Sequence, residues 1–156
     1  MPPQVVKLDL GVIPSPAGSG ELLLADEWSC RLVFVPSVSD GLSAPPRTAM
    51  ATFQGCLQVV FGYPNDEAHP GHPLYSNWSY GFYEVLGSDW PDRLEAQNRV
   101  AFPHSTVPWG KRHFLMTCHE SLVEVLAEDL SVEVFERPFA EVAADALRRN
   151  LRDHHG

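Results

Sequence analysis

The sequence has few cysteines, and their arrangement excludes two common kinds of small protein. The three cysteines, Cys30, Cys56 and Cys118, are an odd number, lie far apart and form no Cys-x-x-Cys pair. Neither a disulfide framework nor a structural zinc knuckle is therefore indicated. We expect buried, reduced thiols in a reducing compartment.

Long apolar runs and positive charge are also scarce. No apolar run approaches the ~20 residues that a membrane helix needs, and the segment 1–7 lacks the basic start and apolar centre of a signal peptide. The sequence therefore predicts a soluble, cytoplasmic protein without a membrane partner. Lys and Arg number 11 against 20 Asp and Glu, which gives a net charge of -9. This acidic balance argues against nucleic acid as a partner, because a phosphate backbone requires a basic face.

Length and proline content narrow the fold class. A chain of 156 residues with 44% apolar and 20% charged residues is typical of one globular domain, predicted to span 1–156. The chain contains 14 prolines, well above the average usage of about 5%. Each proline ends or borders a regular element because it fixes φ and lacks a backbone donor. A bundle of long helices is thus excluded, and short strands joined by shaped loops are expected.

Apolar, partly alternating segments predict strands over most of the chain. The predicted strands are Val5–Leu10, Glu21–Ala25, Cys30–Val35, Met50–Tyr63, Tyr80–Leu86 and His113–Cys118. Two further strands, Leu122–Ala127 and Leu130–Phe135, are predicted to form a hairpin around Glu128 and Asp129.

Two helices complete the predicted fold. Ser88 is placed to cap a short helix that runs to about Arg99. After Pro138, apolar residues recur at helical spacing and predict an amphipathic C-terminal helix, with Phe139, Val142, Ala146, Leu147 and Leu151 facing the sheet. The predicted fold class is α+β: a mostly antiparallel sheet, or two packed sheets, with a short mid-chain helix and an amphipathic C-terminal helix.

Aromatic residues are concentrated in one part of the chain. Eight of the 16 aromatic residues lie between Phe61 and Trp90. Aromatic side chains commonly line small-molecule sites and protein interfaces. The candidate ligand-binding residues are Tyr63, Tyr75, Trp78, Tyr80 and Tyr83. The alternative interpretation is a loop that these aromatic residues anchor to the core.

The same loop carries potential metal ligands among its prolines. Asp66, His69 and His72 supply the oxygen and imidazole ligands that divalent zinc, iron or manganese accepts, and the His-x-x-His spacing can converge on one ion. They are the candidate metal ligands, although no distant further ligand is specified. The alternative is a solvated polar connection with exposed histidines.

A third candidate site follows the predicted strand that ends at Cys118. Cys118 and His119 cannot form a dyad within one extended strand, because adjacent side chains point to opposite faces. No Gly-x-Ser-x-Gly turn is present to hold a nucleophilic serine. The candidate catalytic residues are His119, with Glu67 or Glu120 as the proton carrier.

These observations support a small binding or accessory module that uses residues 61–83 to hold a small molecule or a protein partner. The alternative function is a metal-assisted enzyme with His69, His72 and His119 among its ligands. A third hypothesis is self-association into a homo-oligomer. The sequence alone leaves open whether the protein is an enzyme.

Overall fold

The structure is a computed structural model that describes residues 1–18, 20–37, 45–105 and 110–155. Within these residues the chain forms nine β-strands, two α-helices and a short 3-10 helix at Asp66–Gly71. The strands are β1 (Gln4–Leu8), β2 (Leu22–Ala25), β3 (Cys30–Phe34), β4 (Thr48–Gln54), β5 (Gln58–Gly62), β6 (Gly81–Leu86), β7 (Arg112–Thr117), β8 (Leu122–Ala127) and β9 (Asp129–Phe135). The helices are α1 (Trp90–Ala101) and α2 (Phe139–His155).

The strands form two antiparallel sheets. The five-stranded sheet has the order β1-β6-β7-β8-β5, and the four-stranded sheet has the order β2-β3-β4-β9. The predicted α+β class is confirmed, with two sheets, a short mid-chain helix and a C-terminal helix.

The main core lies between the two sheets, and strand alternation explains which residues fill it. In β7, Phe114 and Met116 belong to this core, whereas His113 and Leu115 point to the other face. The core also contains side chains from both sheets: Cys30, Leu32, Phe34, Ala49, Ala51, Phe53, Phe82, Val123, Val125 and Leu130. The alternation leaves the other face of β7 and its neighbours available for a second layer.

Helix α2 covers the outer face of the four-stranded sheet. Val142 and Ala146 are fully buried there against Val33 and Met50. Each such apolar side chain removed from water contributes roughly 1–3 kcal/mol. The prediction of an amphipathic helix packed on the sheet is therefore confirmed at this end of the helix.

The last turns of α2 are held differently from the prediction. Leu147 and Leu151 are about half exposed, at 49% and 51%. Asn150 is buried instead and accepts a hydrogen bond from Arg31, whose guanidinium also lies 2.9 Å from Asp153. A polar network therefore fixes the C-terminal half of α2, which an apolar period cannot reveal.

The predicted strand Met50–Tyr63 is wrong as a single element. It divides into β4 and β5, which belong to different sheets. Gly55 between them has φ +60°, and a Cβ there would lie 2.6 Å from the Glu128 side chain. Glycine is therefore required at this corner, where a left-handed backbone meets a close neighbour.

The predicted hairpin of Leu122–Ala127 with Leu130–Phe135 is also wrong. β8 pairs with β5 and β7, whereas β9 pairs with β4 in the other sheet. The chain crosses between the sheets near Glu128, whose backbone N–H donates to Gln54 O at 2.8 Å. β8 instead forms a hairpin with β7, and Cys118 N–H donates to Ser121 O within the connection.

The short helix α1 starts close to its predicted position. Asp89 occupies the N-cap, and Ser88 precedes it. Gly87, with φ +70°, turns the chain from the end of β6 into α1. Across the residues that the structure describes, neither helix is long and apolar enough to span a membrane.

Candidate functional site

The outer face of the five-stranded sheet is partly covered by the chain between β5 and β6 and by α1. Between these covers lies a cleft of about 680 Å³. We call it the relay cleft, and its polar and aromatic lining includes His72, Ser88, Trp90, His113 and Glu124. Its volume is within the range of roughly 300–1,000 Å³ that small-molecule sites occupy.

Two strands place a histidine and a carboxylate together in this cleft. His113 on β7 and Glu124 on β8 both point away from the inter-sheet core. The register pairs Leu115 with Glu124, so His113 and Glu124 are diagonal neighbours on one face. His113 Nε2 consequently lies 2.9 Å from Glu124 Oε1.

The loop contributes a second histidine to the same carboxylate. His72 immediately follows the 3-10 helix, and its Nδ1 accepts a hydrogen bond from Leu74 N–H at 3.0 Å. In a neutral imidazole the other nitrogen then carries the proton. His72 Nε2 therefore donates to Glu124 Oε2 across 3.3 Å, and the Trp78 ring lies against the imidazole with centroids 5.1 Å apart.

The start of α1 extends this chain of hydrogen bonds in the opposite direction. Ser88 Oγ lies 2.8 Å from His113 Nδ1 and accepts Trp90 N–H at 3.2 Å. An ionised Glu124 can only accept, so neutral His113 carries its proton on Nε2 and accepts at Nδ1. The Ser88 hydroxyl therefore donates a hydrogen bond to His113 Nδ1. Each polar atom in this series of hydrogen bonds thus has a donor or acceptor role that matches its neighbour.

The aromatic ring of Trp90 packs against the imidazole of His113. The rings of Trp90 and His113 form an edge-to-face contact, with centroids 4.9 Å apart and planes at 83°. The indole Nε1 of Trp90 donates to Gln58 Oε1 at 2.7 Å. Because an edge-to-face contact and a hydrogen bond both hold the indole, His113 is confined between Trp90 and the sheet.

Burial and hydrogen bonding act in opposite directions on Glu124. Burial is the largest single influence and favours the neutral acid, but hydrogen bonds and charge from His113 and His72 outweigh it together. The pKa of Glu124 is therefore below its ordinary value of 4.5. The carboxylate side chain is only 16% exposed, so the cleft holds a largely buried negative charge.

The mouth of the relay cleft carries a weak ion pair. Arg93 Nε lies 3.4 Å from Asp89 Oδ1, and the two side chains are 68% and 81% exposed. An exposed pair of this kind is screened by water and contributes little to stability. The cationic group at the mouth is thus already matched by a carboxylate.

A second, smaller cavity lies on the other side of Trp78. It has a volume of about 310 Å³ and we call it the aromatic cavity. The structure brings six of the predicted site residues together in its lining: Asp66, Glu67, His69, Tyr75, Trp78 and Tyr80. Trp78 contacts Tyr75 and His69 edge-on, with centroids 5.5 and 5.8 Å apart.

Asp66 connects the loop to the predicted catalytic histidine. His119 Nδ1 lies 2.8 Å from Asp66 Oδ2, which also accepts the Tyr80 hydroxyl. The hydrogen bond with Tyr80 is the largest influence on Asp66 and, with that from His119, lowers its pKa below 3.8. The same bonds raise the pKa of Tyr80 to about 12 and the pKa of His119 above 6.5.

The remaining predicted catalytic residues lie on the surface. Glu120 is more than half exposed, with Oε1 3.1 Å from His119 Nε2, and Glu67 is exposed at the aromatic cavity. Neither carboxylate lines the relay cleft. His119 therefore meets the loop at Asp66, away from His72.

The three predicted metal ligands have different surroundings. Asp66 binds His119 and Tyr80, His72 binds Glu124, and His69 is buried at 4% exposure. Burial lowers the pKa of His69, and its Nε2 has no partner among the described residues. In that same part of the chain, no group of three or more His, Cys, Asp or Glu side chains is arranged to hold a metal ion. The divalent metal stays a prediction from the sequence.

Two of the predicted ligand-binding tyrosines lie outside both cavities. Tyr63 is 81% exposed at the end of β5. Tyr83 is buried under Trp78, and its hydroxyl donates to Ser79 O at 2.8 Å. Tyr83 therefore anchors the loop to the sheet, as the alternative interpretation of the aromatic residues expects.

Most of the relay cleft is not predicted from the sequence. The sequence predicts Ser88 as a helix cap and indicates no role for His113 or Glu124. One signal was available: a β7–β8 hairpin brings His113 and Glu124 to the same face, because both alternate with buried apolar residues. No sequence pattern indicated that Ser88 reaches His113, because that contact depends on how α1 lies on the sheet.

Comparison with known proteins does not assign this chain to a family. No protein-family model matches the chain, and no curated protein or solved structure matches it.

Proposed function

We propose that the chain is a binding module whose relay cleft holds a small, uncharged organic molecule. The observation that carries the proposal is the hydrogen-bonded chain from Leu74 N–H through His72, Glu124 and His113 to Ser88. Small-molecule sites are typically concave, with a few convergent polar groups among apolar side chains. The relay cleft has both properties.

The apolar part of the lining supports an organic ligand. Val60, Leu74 and Val85 line the relay cleft beside its polar chain. Val60 is 57% exposed, which leaves apolar surface that a ligand would remove from water. Such burial yields roughly 25 cal/mol per Å² of apolar surface.

The charge of the cleft favours an uncharged ligand. Glu124 is ionised and largely buried, so it repels a carboxylate or phosphate placed beside it. Both of its oxygens already accept hydrogen bonds from His113 and His72. A cationic ligand would therefore have to share the carboxylate with both imidazoles.

The proposal keeps part of the loop predicted from the sequence. The segment 61–83 supplies His72 and Leu74 to the relay cleft, and the ring of Trp78 packs against His72. None of the four predicted tyrosines lines the relay cleft. The loop thus contributes one wall, and strands β7 and β8 contribute the polar floor.

The proposal includes a reducing, cytoplasmic location. Cys30, Cys56 and Cys118 are all buried and unpaired. Disulfides are rare in reducing compartments, so three free cysteines are consistent with such a location. This location agrees with a binding module that needs no disulfide.

The test is a fragment screen followed by two-dimensional ¹⁵N NMR. We expect uncharged esters, amides or alcohols to shift the amide signals of Ser88, His113 and Glu124. Trp90 lines the cleft and reports binding by fluorescence, so Trp90→Phe should abolish that change. Trp28→Phe is the matched control, because Trp28 is 63% exposed and packs near His154 on α2.

Two outcomes would contradict the proposal. One is a screen in which no uncharged fragment shifts signals from the relay cleft. The other is a set of fragments whose shifts map only to Asp66, Tyr75 and Trp78 in the aromatic cavity. The second result would place the binding site in the aromatic cavity, which is lined by residues predicted from the sequence.

A further inference from the structure

We propose that Ser88 is an acyl-accepting nucleophile and that the relay cleft hydrolyses small, uncharged carboxylic esters. This inference rests on the proposed function, because the ester must first bind in the cleft. Ser88, His113 and Glu124 form a nucleophile, a base and an acidic group that orients the base, which is the geometric signature of an activated serine.

The direction of the hydrogen bonds distinguishes a nucleophile from a helix cap. A cap requires only a lone pair of the serine oxygen, and Ser88 supplies one to Trp90 N–H at 3.2 Å. The Ser88 proton then has no structural task at the helix. It is directed instead at Nδ1 of His113, an imidazole that is only 5% exposed.

The carboxylate prepares His113 to accept that proton. Glu124 holds the His113 proton on Nε2, so Nδ1 presents its lone pair to Ser88. When Nδ1 is protonated, the resulting imidazolium lies 2.9 Å from an ionised carboxylate. His72 acts as a positioning residue, because it holds the second oxygen of Glu124.

The backbone places the serine where negative charge is favoured. Gly87 turns the chain from β6 into α1, and Ser88 lies one residue before the N-cap of that 12-residue helix. The N-terminus of a helix carries partial positive charge. The position favours the developing charge on a serine oxygen or on a carbonyl oxygen beside it.

The reaction balances without any other reagent. Ser88 Oγ bonds to the ester carbonyl carbon while its proton moves to His113 Nδ1. Collapse of the tetrahedral intermediate breaks the bond to the alcohol oxygen, and the alcohol takes the proton from His113. Water then attacks the acyl-serine with His113 as base, and it releases the carboxylic acid and restores Ser88. The net reaction converts an ester and water into an acid and an alcohol.

The chemical test combines covalent labelling with ester turnover in the full chain. We expect a fluorophosphonate probe to add one phosphonyl group, found on Ser88 by peptide mass spectrometry. Short-chain p-nitrophenyl esters should give a stoichiometric burst of p-nitrophenol, followed by slower turnover. In His113→Gln the rates of labelling and burst should fall by roughly 100-fold or more, as expected on loss of a general base.

Two serine variants separate catalysis from capping. Ser88→Asn keeps a side-chain oxygen that can cap the helix but has no hydroxyl nucleophile. It should remain folded and show neither label nor burst, and Ser88→Ala should behave alike if it folds. Ser76→Ala is the matched control on an exposed serine and should retain wild-type labelling.

Three results would overturn the inference. They are the absence of adduct and burst in the wild type, an adduct on another residue, and labelling of Ser88→Asn at the wild-type rate. The same sample is examined by ¹⁵N NMR with an unreactive amide analogue. Shifts at the relay cleft without labelling would reject hydrolysis alone, whereas the absence of both would also contradict the proposed binding function.

Discussion

His113 Nε2 and Glu124 Oε1 lie 2.9 Å apart because neighbouring strands bring them to the same outer face of one sheet. His72 approaches the other carboxylate oxygen from a loop that is remote in sequence. One buried carboxylate thus joins three parts of the chain. Its removal is the most direct test of how the relay cleft is held together.

Glu124→Gln should destabilise the protein by about 1–3 kcal/mol, the usual cost of an unsatisfied buried polar group. An amide has one acceptor oxygen, so its NH₂ group would face the N–H of either His113 or His72. Urea unfolding at neutral pH measures the change. Glu120→Gln is the control, because the Glu120 side chain is 56% exposed and its change should stay within about 0.5 kcal/mol.

The contribution of Glu124 should also depend on pH. Its pKa is below 4.5 in the folded chain, so its stabilising effect is present above pH 4.5 and is lost as the pH falls through the folded pKa. The difference in unfolding free energy between wild type and Glu124→Gln should therefore shrink below pH 4.5. A difference that grows on acidification would contradict this assignment.

His119 should titrate above its ordinary pKa of 6.5, because its protonated form is hydrogen-bonded to Asp66. The resulting stabilisation is complete below pH 6.5 and is lost as the pH rises through the raised pKa. NMR titration of the imidazole signals measures the midpoint. Asp66→Asn should lower it towards 6.5, and an unchanged midpoint would show that Asp66 is not the cause.

The pKa of Tyr80 should be about 12 instead of its ordinary 10, because its hydroxyl donates a hydrogen bond to the Asp66 carboxylate. Ultraviolet titration of phenolate absorbance should therefore show a late step from Tyr80. Tyr80→Phe should remove that late step, and Asp66→Asn should bring it closer to 10. Tyr63→Phe is the matched control at an 81% exposed position and should leave the late step in place.

Arg31→Ala should lower the free energy of unfolding by about 2 kcal/mol, since hydrogen bonds to charged groups contribute roughly that much. The Arg31 guanidinium is nearly buried and binds Asn150 and Asp153 on α2. Arg148→Ala is the control, because its side chain is 65% exposed and, among the described residues, pairs with nearby Asp145. Equal losses in the two variants would mean that the Arg31 network does not anchor α2.

Local patterns predicted the layers of the fold. Alternation in β7 places Phe114 and Met116 inside and His113 outside, and this follows directly from strand geometry. Helical spacing likewise predicts that Val142 and Ala146 lie on the face of α2 that packs against the sheet. These features depend only on residues that are close in sequence.

Strand partners were harder to predict, because two candidate hairpins compete for β8. The sequence predicts that β8 pairs with the strand after it through Glu128 and Asp129, but β8 can also pair with the strand before it through the segment 118–121. Only the second pairing forms a hairpin, because β9 pairs with β4 in the other sheet. When β8 is paired with β9 in the prediction, His113 and Glu124 are not neighbours, and the relay cleft cannot be predicted.

The crossing at Gly55 and Glu128 has a kinetic consequence. Both β4–β5 and β8–β9 change sheets there, so β4 pairs with β9 and β5 with β8 only after distant parts of the chain meet. Such pairings incur the entropy of loop closure before contacts form. Folding should therefore start from the local β2–β3 and β7–β8 hairpins and be completed on the millisecond-to-second timescale of β-rich domains with high contact order.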